Sequence, residues 1–135
     1  MSLDPEFLRK VNLFAGLDEK EAKKVAPLFK ERTFSPGETI AEEGKHGVGF
    51  FVIESGTAKV TSRGEERATL GPGAYFGEIA LIDDGARTAT VVAETDLKAH
   101  VLVVWDFRPL VKEDPELAWG LLRGVAGMLR TREGY

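Results

Sequence analysis

Glu78 and Arg87 carry the most directed chemistry in this chain. They lie in a stretch that reads Phe-Gly-Glu-Ile-Ala-Leu-Ile-Asp-Asp-Gly-Ala-Arg-Thr-Ala-Thr-Val-Val-Ala from Phe76 to Ala93. A glycine and a carboxylate open the first turn of a predicted short helix, and Arg87 leads into a β-branched, strand-like run. A carboxylate accepts hydrogen bonds from hydroxyls, a guanidinium forks onto anionic oxygens, and a first helical turn offers backbone N–H groups. Together these suit a small ligand with a sugar diol and a phosphate. Gly77, directly before Glu78, lets the backbone come close to such a sugar.

Plainer readings exist for each candidate. Arg87 could be a surface arginine with Glu78 as its ion-pair partner, an arrangement that an empty ligand site would also permit. Gly71 and Gly73 read as turn residues, because the Gly-Lys-Ser/Thr ending of a phosphate loop is missing. His46 and His100 are too far apart for a local metal motif and there is no cysteine, so no metal site is expected and both histidines are read as solvent-facing or turn residues. Ser55 lacks a plausible His and acid partner and reads as a hairpin residue. The run Asp18–Lys24 reads as a solvated helix face.

The elements that must position Glu78 and Arg87 fall into three regions. Residues 4–31 look helical. Asp4 can cap a helix with Pro5 at its first position, Asp18 can cap a second, and Pro27 should end or kink that second helix. Residues 32–105 are predicted to be strands. Turns are expected at Pro36-Gly37, Ser55-Gly56 (as a hairpin), Arg63-Gly64-Glu65 and Gly71-Pro72-Gly73. Strands are expected at 48–53, 57–62, 88–94 and 97–105, a spacing that suggests a sandwich, jelly roll or barrel. Residues 106–135 return to helix, with Asp106 capping a short one and Asp114-Pro115 starting a longer one. Leu117, Leu121, Val125 and Met128 form its apolar stripe, with Leu122 and Leu129 beside it. Gly120, Gly124 and Gly127 each weaken that helix by about 1 kcal/mol, which suggests close approach of another backbone.

With 135 residues the chain is read as one domain, 1–135, able to bury a core without staples. No apolar run reaches membrane-spanning length, and no secretory leader pattern is present. Absence of cysteine fits a reducing, cytoplasmic setting. A net charge of −4 with scattered Lys and Arg argues against nucleic acid as a partner of this chain itself.

The stretch Phe76–Ala93 resembles the phosphate-binding cassette of the cyclic nucleotide-binding domain family. The likeness rests on Phe76-Gly77-Glu78-Ile79-Ala80-Leu81, a short spacer and Arg87-Thr88-Ala89-Thr90. It extends to Ser35-Pro36-Gly37-Glu38-Thr39-Ile40, Glu43-Gly44 and Phe50-Phe51-Val52-Ile53-Glu54-Ser55-Gly56, which resemble the family's opening strands. Lys45 replaces the family's usual acidic or amide residue, and Ala41 a larger β-branched one; both are read as lying away from the cassette. The resemblance implies a mainly β jelly roll flanked by N- and C-terminal helices, with the cassette at 76–93.

It also implies roles. Glu78 would accept a hydrogen bond from the ribose 2′-hydroxyl with the Gly77 backbone close by, and Arg87 would bind the cyclic phosphate. The Ala80 and Thr88 amides and the Thr88 hydroxyl would complete the cradle, with Ile79 between Glu78 and Ala80. Trp119 and Arg123 on the last helix are possible base contacts, although packing on the core or at a dimer seam is favoured for Trp119. The expected function is a regulatory module that binds cAMP in preference to cGMP, has no catalytic residues and no cofactor, and relays binding by movement of its terminal helices. A homodimer through the C-terminal helix is a possible partner arrangement; the effector, a partner of a stand-alone sensor or a further domain of a longer protein, is left open. The alternatives are a degenerate docking module that no longer binds nucleotide, a sensor fragment of a transcription regulator, and a cupin-like metal enzyme, which would need clustered histidines.

Overall fold

Alternating apolar residues and turn glycines break the middle of the chain into short strands. In the computed structural model, which describes residues 3–47, 49–83 and 85–133, these are β1 (Lys30–Phe34), β2 (Thr39–Ala41), β3 (Gly49–Ser55), β4 (Ala58–Ser62), β5 (Glu65–Leu70), β6 (Tyr75–Phe76), β7 (Thr90–Ala93) and β8 (Leu97–Val103). Val48, expected to open a strand, lies outside the described residues, as do Asp84 of the cassette spacer and Met1, Ser2, Gly134 and Tyr135 at the ends.

The strands form two antiparallel four-stranded sheets, ordered β1-β8-β3-β6 and β2-β7-β4-β5. Their facing sides close on one core, with Phe34, Phe51, Ile53, Ala99 and Val101 from the first sheet and Ala41, Ala58, Val91 and Ala93 from the second. This is a jelly roll.

Ser55-Gly56 is not a hairpin. The strand before it pairs with β8 and β6, the strand after it with β5 and β7, so the turn carries the chain from one sheet to the other. Local turn chemistry cannot distinguish these two outcomes. Arg63-Gly64 does close a hairpin, β4–β5, with both residues at positive φ (55° and 76°) as a tight two-residue turn requires.

The chain separates into two compact units, Lys30–Val104 with the strands, and Met1–Phe29 with Trp105–Tyr135. The second unit is built on α1 (Pro5–Leu8), α2 (Glu19–Val25), α3 (Val104–Glu113) and α4 (Pro115–Glu133). Asp4 caps α1, and Asp18 and Glu21 form a reciprocal capping box on α2. Helix α2 ends at Val25 and tightens into a 3-10 turn, Ala26–Leu28, at the predicted proline. Two boundaries shift. Lys30 and Glu31 are already strand, and α3 starts at Val104, so Asp106 lies in its first turn rather than capping it.

In this unit Phe14 meets Phe107 edge-on at 5.9 Å, among buried Leu8, Leu13, Leu17 and Leu117. The glycines of α4 divide. A Cβ on Gly120 would sit 2.9 Å from the Leu17 side chain and 3.0 Å from the Gly16 carbonyl, and one on Gly124 would overlap the Leu13 carbonyl, whereas Gly127 faces open space. The close backbone is therefore the chain's own residues 12–17. The apolar stripe divides too, because Leu117 and Leu121 are buried while Leu122 and Leu129 are more than half exposed. No helix among the described residues is long and apolar enough to cross a membrane.

Candidate functional site

The site begins where β6 ends. Phe76 pairs with Phe51 of β3 and stacks on its ring at 5.0 Å, which fixes where the chain leaves the sheet. Gly77 follows at φ 87°, a left-handed conformation that costs a side-chain-bearing residue about 1–2 kcal/mol. The reversal starts the 3-10 turn Glu78–Leu81, burying Ala80 and Leu81 and leaving Ile79 exposed. The Ala80 amide donates to the Gly77 carbonyl at 3.1 Å and so closes this turn.

Arg87 arrives from the other direction. Its backbone N–H donates to the Lys45 carbonyl at 2.7 Å, its carbonyl accepts from the Gly44 amide at 2.9 Å, and Ala86 bridges to His46. Lys45 is thus a backbone partner of Arg87, correcting the expectation that it lies away from the cassette. The Lys45 side chain turns outward and pairs with Glu42 at 3.5 Å. The Arg87 guanidinium donates to the Gly49 carbonyl at 2.7 Å, with the Phe51 ring 5.9 Å away. It rests so closely against Gly47 and Gly77 that a Cβ on either would overlap it. Among the described residues no ion pair joins Arg87 to Glu78. The guanidinium is held instead from the β3 side by a backbone carbonyl.

Glu78 and Arg87 line one cavity of about 400 Å³, the size of a small-ligand pocket. Gly77, Ile79, Ala80 and Thr88 line it with them, so all six residues proposed as ligand contacts meet there. Ala41, Val60 and Val91 contribute the apolar lining, and Ala41 is therefore part of the site, against expectation. Sequence reasoning missed Val60, Gly47 and the Gly49 carbonyl. The two glycines, placed just ahead of an apolar strand, were the available signal.

Burial pushes the Glu78 carboxyl up from its ordinary value, opposed by its own backbone amide and by Arg87. Burial likewise pulls the Arg87 guanidinium down, opposed by Glu78. Each charge is thus partly desolvated, a state that a ligand bearing hydroxyls and an anion would relieve.

Trp119 and Arg123 lie on α4 in the helical unit. Trp119 is 59% exposed, so the indole is not a core residue. Arg123, also exposed, lines a second cavity with Asn12, Gly124 and Thr131. His46 is exposed, but His100 is buried at 5%, contrary to expectation, because β8 runs between β1 and β3. Its Nε2 lies 2.9 Å from the Glu54 carboxylate.

Comparison with known proteins agrees with this fold. The family described as "Cyclic nucleotide-binding domain" matches residues 31–114. A cAMP-dependent protein kinase regulatory subunit from Yarrowia lipolytica is 42% identical over 98 residues, 71% of this chain and 26% of that protein. A cGMP-dependent protein kinase, egl-4 of Caenorhabditis briggsae, is 40% identical over 94 residues, 65% of this chain and 13% of that protein. The chain thus spans about a quarter or less of the length of these curated relatives. Among solved structures, the N-terminal domain of a transcriptional regulator from Streptomyces coelicolor A3(2) superposes with a TM-score of 0.82 at 35% identity, covering 93% of this chain and 94% of that one. A jelly roll whose cassette brings a carboxylate and an arginine to one cavity, matched by that family over most of its strands, identifies this chain as a member of the cyclic nucleotide-binding domain family.

Proposed function

We propose that this regulatory domain binds cAMP in preference to cGMP, with Glu78 on the ribose 2′-hydroxyl and Arg87 on the cyclic phosphate. The observation that carries the reading is the pre-held guanidinium. Arg87 is fixed on the Gly49 carbonyl, makes no ion pair with Glu78 among the described residues, and lines the cavity that Glu78, Gly77 and Thr88 share. A cyclic phosphate is a monoanion with exposed oxygens and suits such a fork. Thr88 supports the phosphate contact, since its residue lines the cavity next to Arg87. The Ala80 amide would reach the phosphate only by loosening its bond to Gly77, a rearrangement that ligand binding would drive.

In this reading 1–135 acts as one domain in the cytoplasm and as a binding module rather than an enzyme. The terminal helices dock differently in the bound state, bringing Trp119 or Arg123 to the base, and the effector lies in another domain or protein. A homodimer along α4 is supported by the exposure of Trp119, Leu122 and Leu129, at 59%, 59% and 56%.

Competitive titration of cAMP against cGMP, with Thr88→Ala as control, tests the proposal. Tighter cAMP binding, with similar loss for both ligands in the variant, supports it. A selective loss of cGMP binding in Thr88→Ala overturns the cAMP preference, and no heat or thermal shift with either ligand leaves a docking module.

A further inference from the structure

Away from the cavity, three strands of the first sheet bring together a set of side chains that no local motif announces. Glu31 of β1 stands directly across from His100 of β8 in the strand register. Glu54 reaches the same histidine from β3 on the other side, at the point where the β3–β8 register slips between Ile53 and Ser55. The bulge sets Glu54 beside His100, whose Nε2 lies 2.9 Å from a Glu54 oxygen. One donor atom from each of the three residues lies within 4.8 Å of the other two. None of the three lines the 400 Å³ cavity.

Two further observations point to a cation. First, the histidine side chain is only 7% exposed and is aimed into the cluster, while the carboxylates remain 38% and 27% exposed, which leaves an entry path. Second, a cation already pairs with both carboxylates, because the Lys98 ammonium lies 3.9 Å from Glu31 and 3.5 Å from Glu54. Lys98, with a side chain 41% exposed, can swing into water and give up that place.

We infer that Glu31, Glu54 and His100 form a binding site for a divalent first-row transition metal, with zinc the preferred probe, in exchange for the Lys98 ammonium. One imidazole nitrogen and two carboxylate oxygens make a three-ligand set that leaves a fourth position for water. An imidazole donor disfavours Mg²⁺ and Ca²⁺, and imidazole with carboxylates in a three-ligand set suits zinc. With metal–ligand bonds of about 2.0–2.2 Å, tetrahedral ligands stand about 3.3–3.6 Å apart, so small side-chain rotations on a rigid sheet suffice. In neutral His100 the hydrogen bond to Glu54 places the proton on Nε2. Metal ligation forms an Nε2–metal bond and moves that proton to Nδ1 through solvent, with no change in oxidation state.

The test is calorimetric titration of the whole chain with ZnCl₂ alone, together with the visible spectrum of the Co²⁺ complex and the imidazole nitrogen NMR signals. The expected result is one zinc per chain, a tetrahedral Co²⁺ band and a shift of the His100 proton to Nδ1. Glu31→Gln, an exposed substitution that the fold should tolerate, and Glu54→Gln should each weaken zinc binding by about tenfold or more. Lys98→Met should strengthen it. Absence of stoichiometric binding overturns the inference. So does binding that stays within about twofold in folded Glu31→Gln and Glu54→Gln, which would place the metal elsewhere on the surface.

Discussion

Replacement of Arg87 by alanine is the most direct test of how this cavity works. Among the described residues, Arg87 is the one cationic side chain lining it, while Glu78 and Asp83 supply two carboxylates. Arg87→Ala therefore removes the proposed partner of an anionic ligand and leaves an acidic cavity facing it. Truncating one member of a desolvated charge pair costs about 2–5 kcal/mol or more. Arg87 is half-buried, which moves the figure toward the low end, while the residual carboxylates move it up. We expect a loss of about 2–4 kcal/mol, or roughly 30- to 1,000-fold in Kd. Calorimetric titration with cAMP at fixed ionic strength reads this directly, and a thermal melt checks that the variant folds. Arg87→Lys keeps the charge but cannot fork onto two oxygens or donate in the same way to the Gly49 carbonyl, so it should fall between wild type and alanine. A folded Arg87→Ala protein that binds within about threefold of wild type would refute the assignment.

Three other substitutions test the cavity and the last helix. The Glu78 carboxyl is raised by burial, so its contribution to stability is present below the ordinary carboxylate pKa and is lost as pH rises through the higher folded-state value. Glu78→Gln should therefore raise the melting temperature of the ligand-free protein at neutral pH, flatten its pH dependence just above the ordinary carboxylate range, and weaken cAMP binding; an unchanged melt at neutral pH would count against the burial argument. On α4, Gly124→Ala should destabilise the chain by about 1–3 kcal/mol, because its Cβ overlaps the Leu13 carbonyl. Gly127→Ala faces open space and should stabilise by up to about 1 kcal/mol through helix propensity, and denaturant melts of the pair measure the opposite signs.

Much of this protein was legible before its structure because the signals are local. A capping aspartate followed by helix formers, a proline inside a helical pattern and a glycine before a carboxylate all act within a few residues, and each produced the expected element at Asp18, Pro27 and Gly77. The cassette was legible for the same reason, since Glu78 and Arg87 belong to one continuous stretch.

The tertiary structure decided whatever depended on which strand lies beside which. Ser55-Gly56 carries one turn signal whether the next strand returns to the same sheet or crosses to the other, and here it crosses. Long-range pairing set Lys45 against the Arg87 backbone and the Gly49 carbonyl against its guanidinium. The same long-range register buried His100 and placed it between Glu31 and Glu54, residues far from it in the chain. Periodicity places a side chain on one face of a strand but leaves its cross-strand neighbour unspecified, because that neighbour is chosen by register and sheet order. The sequence alone thus placed a carboxylate and an arginine in one stretch, and the packing of the strands determined how that arginine is held.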